Sequence, residues 1–229
     1  MEHLIAKISI MLVPGLFAIT LHEVAHGFVA EKFGDPTARM LGRLSLNPLK
    51  HLDVIGTIAL MVFGFGWAKP VPVNFGNLRK PKRDMIWVAL AGPAANLLLA
   101  IVSALLLRGL LLLGSLTPEA QLKALSSVLN PLLLMSYFSL YINVLLGVFN
   151  LMPLPPFDGG RVMVGLLPAR QGEWLSRFEP FGFIIILLLI FYTPVWPVII
   201  QPVINHLVVL LSGPAVSSAM NTIPLLINQ

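Results

Sequence analysis

His22-Glu23-Val24-Ala25-His26 is where this chain could do chemistry. Two histidines four apart lie on one face of a helix, about one turn from each other, so both rings can reach one metal ion. Glu23 stands between them, close enough to act as a base toward a water held at the same place. The five residues fall inside an apolar stretch that otherwise reads as a transmembrane helix. Ionisable groups are costly there and rarely left without a task. A pair of structural histidines on a packed helix is the bland alternative. The motif reads as a zinc hydrolase site.

A catalytic zinc takes three protein ligands and keeps one position open. The 229-residue chain has no cysteine, which excludes disulfides and thiolate ligands, so the third donor must be His, Asp or Glu. Most of the ten acidic residues lie in basic loops or at span ends, where solvation or charge balance explains them. Asp158 differs. It follows an apolar span, Pro153, Pro155 and Pro156 precede it, and Gly159-Gly160 follow. Those residues should expose backbone and let a carboxylate turn inward. Capping of a short helix over 159–167 is the other role open to it. His51, beside Lys50 and Asp53, reads as interfacial, His206 as a helix-to-helix hydrogen bonder, and His3 as solvated. Trp67, Trp87, Trp174 and Trp196 fit interfacial anchors.

The chain around these residues has the composition of a membrane protein. With 57% hydrophobic and 11% charged residues and a mean hydropathy of +0.87, an ordinary soluble domain is excluded. The expected fold is an all-α polytopic membrane protein forming one domain over residues 1–229. It should be a bundle of about four to six transmembrane helices with a small extended or β segment near the cytoplasmic face. The first span covers 4–32, and no signal peptide is read into it. Counted from Ile8, His22 and His26 lie about 21 and 27 Å into a core roughly 30 Å thick. Residues 42–48 alternate like a strand, and 54–66 are apolar but short. The prolines in 67–74 enforce an extended, edge-strand-like path. Further spans are expected over 85–113 and 131–151, joined by a polar loop at 114–130. The apolar tail from 181, broken at Pro194 and Pro197, is one bent span or two short ones.

Charge sets the orientation. The net charge of +5 could suggest nucleic acid, yet the basic residues lie between apolar spans, and no nucleic-acid partner is expected. Placing 32–84 and 158–180 on one side gathers twelve of the fifteen Lys and Arg residues there, so that side should be cytoplasmic. HExxH and Asp158 point to the same side. The expected location is a prokaryotic cell (inner) membrane, with the lipid bilayer and a protein substrate as partners and homo-oligomerisation left open. A short excursion at 54–66 between basic flanks should return to the cytoplasmic face instead of crossing.

HExxH in an early span, Gly92-Pro93-Ala94-Ala95-Asn96 in the next, and Asn150-Leu151-Met152-Pro153 followed by Asp158-Gly159 resemble the site-2 protease family of intramembrane zinc metalloproteases. The resemblance covers nearly the whole chain, in a short form without PDZ or CBS modules. It implies His22, His26 and Asp158 as ligands of one zinc per chain and Glu23 as catalytic base. It also implies Asn150 as a residue holding substrate or the developing oxyanion, with Asn96 as polar support and close helix packing around Gly92. The substrate class it implies is the transmembrane segment of another membrane protein. A membrane metal-ion transporter would need polar groups spread through the bilayer, and an inactive scaffold would have no use for Glu23.

Overall fold

Three helices among the described residues are long and apolar enough to cross a membrane: Ser9–Lys32, Pro81–Leu116 and Gln121–Asn150. The computed structural model describes residues 2–63, 66–213 and 216. In chain order its helices are α1 (Glu2–Lys32), α2 (Thr37–Met40), α3 (Val54–Phe63), α4 (Pro81–Leu116), α5 (Glu119–Asn150), α6 (Asp158–Leu166), α7 (Ala169–Ser176), α8 (Gly182–Tyr192) and α9 (Gln201–Ser212). A π-helical turn, Trp196–Ile200, leads into α9.

Helices α1, α4 and α5 pack against one another, and α6 lies on α4. Small residues let the backbones approach in a bilayer, where packing replaces the hydrophobic driving force. Ala100, Ala104 and Leu107 of α4 accordingly meet Leu140 and Val144 of α5, with Ile200, Ile204 and Val208 of the tail closing the cluster. On the far side of α4, Leu98, Val102, Leu105 and Leu106 are exposed, as a face solvated by lipid requires.

Several expectations change in detail. The second span starts at Pro81, where proline suits the first helical turn and the Asp84 carboxylate accepts from the Lys80 N–H at 2.7 Å. Residues 119–130 are helical, so the expected loop shrinks to Thr117-Pro118. Gln121, Leu122, Lys123, Ala124 and Leu125 are all good helix formers, which explains the extension. The tail is broken at its prolines into two short apolar helices, α8 with eleven residues and Trp196–Ser212. Each is shorter than the roughly 20 residues of a comfortable crossing. Three helices long enough to span are thus present among the described residues, beside the shorter apolar α3, α8 and Trp196–Ser212.

No strand forms at 42–48, and 69–74 run extended without a ladder. Pro70 and Pro72 lack the N–H groups a ladder needs. The β pairing among the described residues is one isolated antiparallel bridge, Leu52 with Ala68. The Lys69 N–H also donates to the His51 carbonyl at 2.8 Å. That pairing closes the neck of the 54–66 excursion, so the chain leaves and returns at one place. Asp53 starts α3 by accepting from the Gly56 N–H at 2.8 Å. A Cβ at Gly56 would come within 2.1 Å of the Trp67 carbonyl, so glycine lets the returning chain lie against the helix. Residues 64 and 65 lie outside the described residues.

Asp35 ties the end of α1 to the returning chain. It is fully buried, and its carboxylate accepts from the Asn74 N–H at 2.7 Å, the Asn77 Nδ2 at 2.9 Å, the Thr37 N–H at 3.2 Å and the Thr37 hydroxyl. Burial raises the Asp35 carboxyl, but these hydrogen bonds outweigh it and hold the group below its ordinary range.

Candidate active site

His22 and His26 project from α1 toward α4, and their rings meet edge to face with centroids 4.7 Å apart. Each Nδ1 is already engaged. His26 Nδ1–H donates to the Val88 carbonyl at 2.7 Å, and His22 Nδ1–H donates to Asn96 Oδ1 at 2.5 Å. A backbone carbonyl can only accept, so the His26 proton must sit on Nδ1. Both Nε2 atoms are left with their lone pairs directed into the same space, 3.1 Å apart.

Asp158 completes that space from the first turn of α6. Its Oδ2 lies 3.2 Å from His22 Nε2 and 3.2 Å from His26 Nε2, yet this buried oxygen has no hydrogen-bond partner. The capping alternative fails, because Phe157 holds the N-cap position and no side chain caps the helix. Gly159 and Gly160 do not expose backbone as expected; they remove bulk. A Cβ at Gly159 would fall 2.4 Å from the Leu151 and Met152 carbonyls, so the glycine lets α6 fold tightly back under α5.

His22, His26 and Asp158 form the metal-capable group found among the described residues, all three buried. Their donor atoms make a nearly equilateral triangle. Zinc bonds of about 2.0–2.1 Å in a tetrahedron require edges of about 3.3 Å, close to the distances observed. Three acceptors converging with no donor among them suit a cation. Gly92 of α4 faces the triangle: a Cβ there would lie 2.4 Å from His26 Nε2 and 2.6 Å from His22 Nε2. The donor set and the space around it fit zinc.

Glu23 sits beside the triad and is held from outside α1. Its Oε2 accepts from the Val71 N–H of the extended segment at 2.7 Å. Val71 packs closely on α1, for a Cβ at Gly27 would meet its Cγ1 at 2.8 Å. Asn150 is the last residue of α5, and its Nδ2 donates to the Leu146 carbonyl of its own helix at 2.9 Å. No bond joins it to the triad among the described residues. His51 is buried, its Nε2–H donating to the Ser45 carbonyl at 2.8 Å, so it is a loop fastener instead of an interfacial group.

The sequence marks Gly92 only as a packing residue, and neither Val88 nor Val71 carries any sequence signal, since both act through backbone atoms. Asn143, bonded to Asn96 at 2.9 Å, was also missed. Its signal was present, because an amide in an otherwise apolar span is unusual.

A membrane-spanning helical core with an HExxH helix facing an aspartate across a metal-sized gap defines a membrane protein built around a metal centre. The chain belongs to Peptidase family M50, whose family model matches residues 10–192. It is 43% identical over 192 residues to YwhC of Bacillus subtilis, named as a zinc metalloprotease, with 83% of each chain covered. It is 30% identical over 189 residues to Rip2 of Mycolicibacterium smegmatis, also named as a zinc metalloprotease, covering 80% of this chain and 67% of the relative. Zinc metalloprotease MJ0392 of Methanocaldococcus jannaschii is 27% identical over 155 residues, 68% of this chain and 33% of the relative. No solved structure matches the chain. The expected resemblance to the site-2 protease family is met.

Proposed function

We propose that this chain is an intramembrane zinc endopeptidase that hydrolyses peptide bonds within or near transmembrane segments of membrane proteins, in regulated intramembrane proteolysis or signal-peptide clearance. The observation that carries this reading is the convergence of three buried acceptor atoms, from His22, His26 and Asp158, with no hydrogen donor among them. These residues would hold one zinc per chain, as the names of the relatives suggest. When bound, zinc supplies Lewis acidity toward a peptide carbonyl and lowers the pKa of water toward 7.

Glu23 takes the proton of the attacking water and returns it to the leaving amine. Its bond from the Val71 N–H fixes one carboxylate oxygen and leaves the other free for this work. Asn150 is assigned to the substrate or to the developing oxyanion. A helical substrate hides its peptide bonds in its own hydrogen bonds and must unwind before attack. The extended 69–74 segment offers backbone with which an unwound stretch can pair. The charge asymmetry supports a prokaryotic cell membrane with the site toward the cytoplasm.

The experiment is Glu23→Gln, assayed with a transmembrane substrate in detergent or liposomes. The variant should keep its zinc and still bind substrate while turnover falls by about 10²–10⁴-fold or more. Cleavage near the wild-type rate would remove Glu23 as base and favour a transporter or scaffold.

A further inference from the structure

We propose that Asn143 is a positioning residue that, through Asn96, fixes the tautomer of His22 so that its Nε2 lone pair faces the metal. This rests on the reading of the triad as a zinc site. Asn143 lies on α5, is fully buried, and touches Asn96 in place of either histidine.

A carboxamide is nearly symmetric in shape, and its two ends differ only in donating or accepting. Which end of Asn96 faces His22 therefore decides where the imidazole proton sits. The chain of bonds can be read from its far end. The Ser139 carbonyl can only accept, so the Asn143 atom 2.8 Å from it must be Nδ2. Asn143 Oδ1 then faces Asn96 and accepts from its Nδ2 at 2.9 Å. Asn96 Oδ1 is left for His22, and Nδ1 must carry the hydrogen it donates at 2.5 Å. Nε2 of the neutral ring is consequently a bare acceptor.

A second carbonyl enforces the same direction. Ser103 Oγ–H donates to the Leu99 carbonyl at 2.7 Å, so between the two serine hydroxyls, 2.8 Å apart, Ser139 is the donor. Its remaining lone pair then accepts from Asn143 Nδ2 at 3.4 Å. Asn96 Nδ2 also reaches the Ala18 carbonyl at 3.4 Å, a longer bond that points the same way, and the Ser139 and Leu99 carbonyls are acceptors that cannot reverse. Asn96 and Asn143 are both fully buried, so no water can satisfy a flipped amide, and reversal would strand polar groups in the bilayer. With Asn96 reversed, its NH₂ would face Nδ1 and push the proton onto Nε2, against the two other ligand atoms. His26 needs no such relay, because its Nδ1 bonds the Val88 carbonyl directly.

The test uses the purified full-length protein, zinc affinity by chelator competition, and the absorption spectrum of the cobalt(II)-substituted site. Asn143→Leu should weaken zinc binding by about 10–100-fold and alter the cobalt spectrum. Asn96→Asp presents only acceptors to His22 when ionised, so it needs no orienting partner. In that background Asn143 Oδ1 would face another acceptor, so adding Asn143→Leu removes a repulsion and should not weaken zinc binding. Wild-type affinity in Asn143→Leu, or an equal loss in the Asn96→Asp background, would overturn the proposal. If Asn143→Leu does not fold, Asn143→Ser, too short to reach Asn96, is read by the same criteria. Absence of zinc from the wild-type protein would overturn the zinc-site reading and this proposal with it.

Discussion

At Gly92 one missing methyl group governs whether the donor atoms can converge. A Cβ there would sit 2.5 Å from His22 Cε1 and 2.4 Å from His26 Nε2, too close for any side chain to share the space. Gly92→Ala should therefore displace the imidazoles or push α4 outward, lowering zinc affinity by about tenfold or more, in the range of other changes that misplace metal ligands. Metal analysis after competition with a chelator checks this, and unchanged affinity would mean that α4 yields without disturbing the histidines. The triad itself was legible because His and Asp are rare in apolar sequence and their spacing has a chemical meaning. Gly92 and Val71 were not, and Asn143 showed only as an unusual amide without a role. A glycine in a helix, a backbone N–H and an amide acquire their roles only from partners brought in by packing, as when His22 meets Asn96 across 74 residues of sequence.

At the scale of elements, the prolines and glycines predicted breaks well and pairings poorly. Pro194 and Pro197 separate two tail helices, and Pro70 and Pro72 keep the 69–74 stretch extended. The strand at 42–48 failed because alternation alone supplies no partner, and hydrogen bonds there go to turns and side chains, as with His51 on the Ser45 carbonyl. The excursion through α3 is different: its return was expected from basic flanks, and the Leu52–Ala68 bridge gives that return a physical neck. Ten helical residues reach only about 15 Å, half a bilayer core. The chain has no native cysteine, so single probes report cleanly. Lys50→Cys and Lys80→Cys flank the excursion, both at exposed positions. A membrane-impermeant thiol reagent should label both from the cytoplasmic side. Labelling from opposite sides would mean that the segment crosses.

At the scale of the molecule, His22, His26 and Asp158 gather where α1, α4 and α6 meet, while Ala100, Ala104, Leu107, Leu140 and Val144 fill the seam between α4 and α5. That buried group suits one metal centre at one end of the bundle. Membrane class was readable because hydropathy measures length and apolarity, which three helices among the described residues supply, while the tail divides its apolar residues between two shorter helices. In the proposed centre, α1 and α6 together hold one zinc ion through His22, His26 and Asp158. Elemental analysis of the purified protein and of Asp158→Ala, with helix content checked by circular dichroism, tests it most directly. About one zinc per wild-type chain is expected, with substantial loss in a folded Asp158→Ala variant. Full zinc retention by that variant would contradict it.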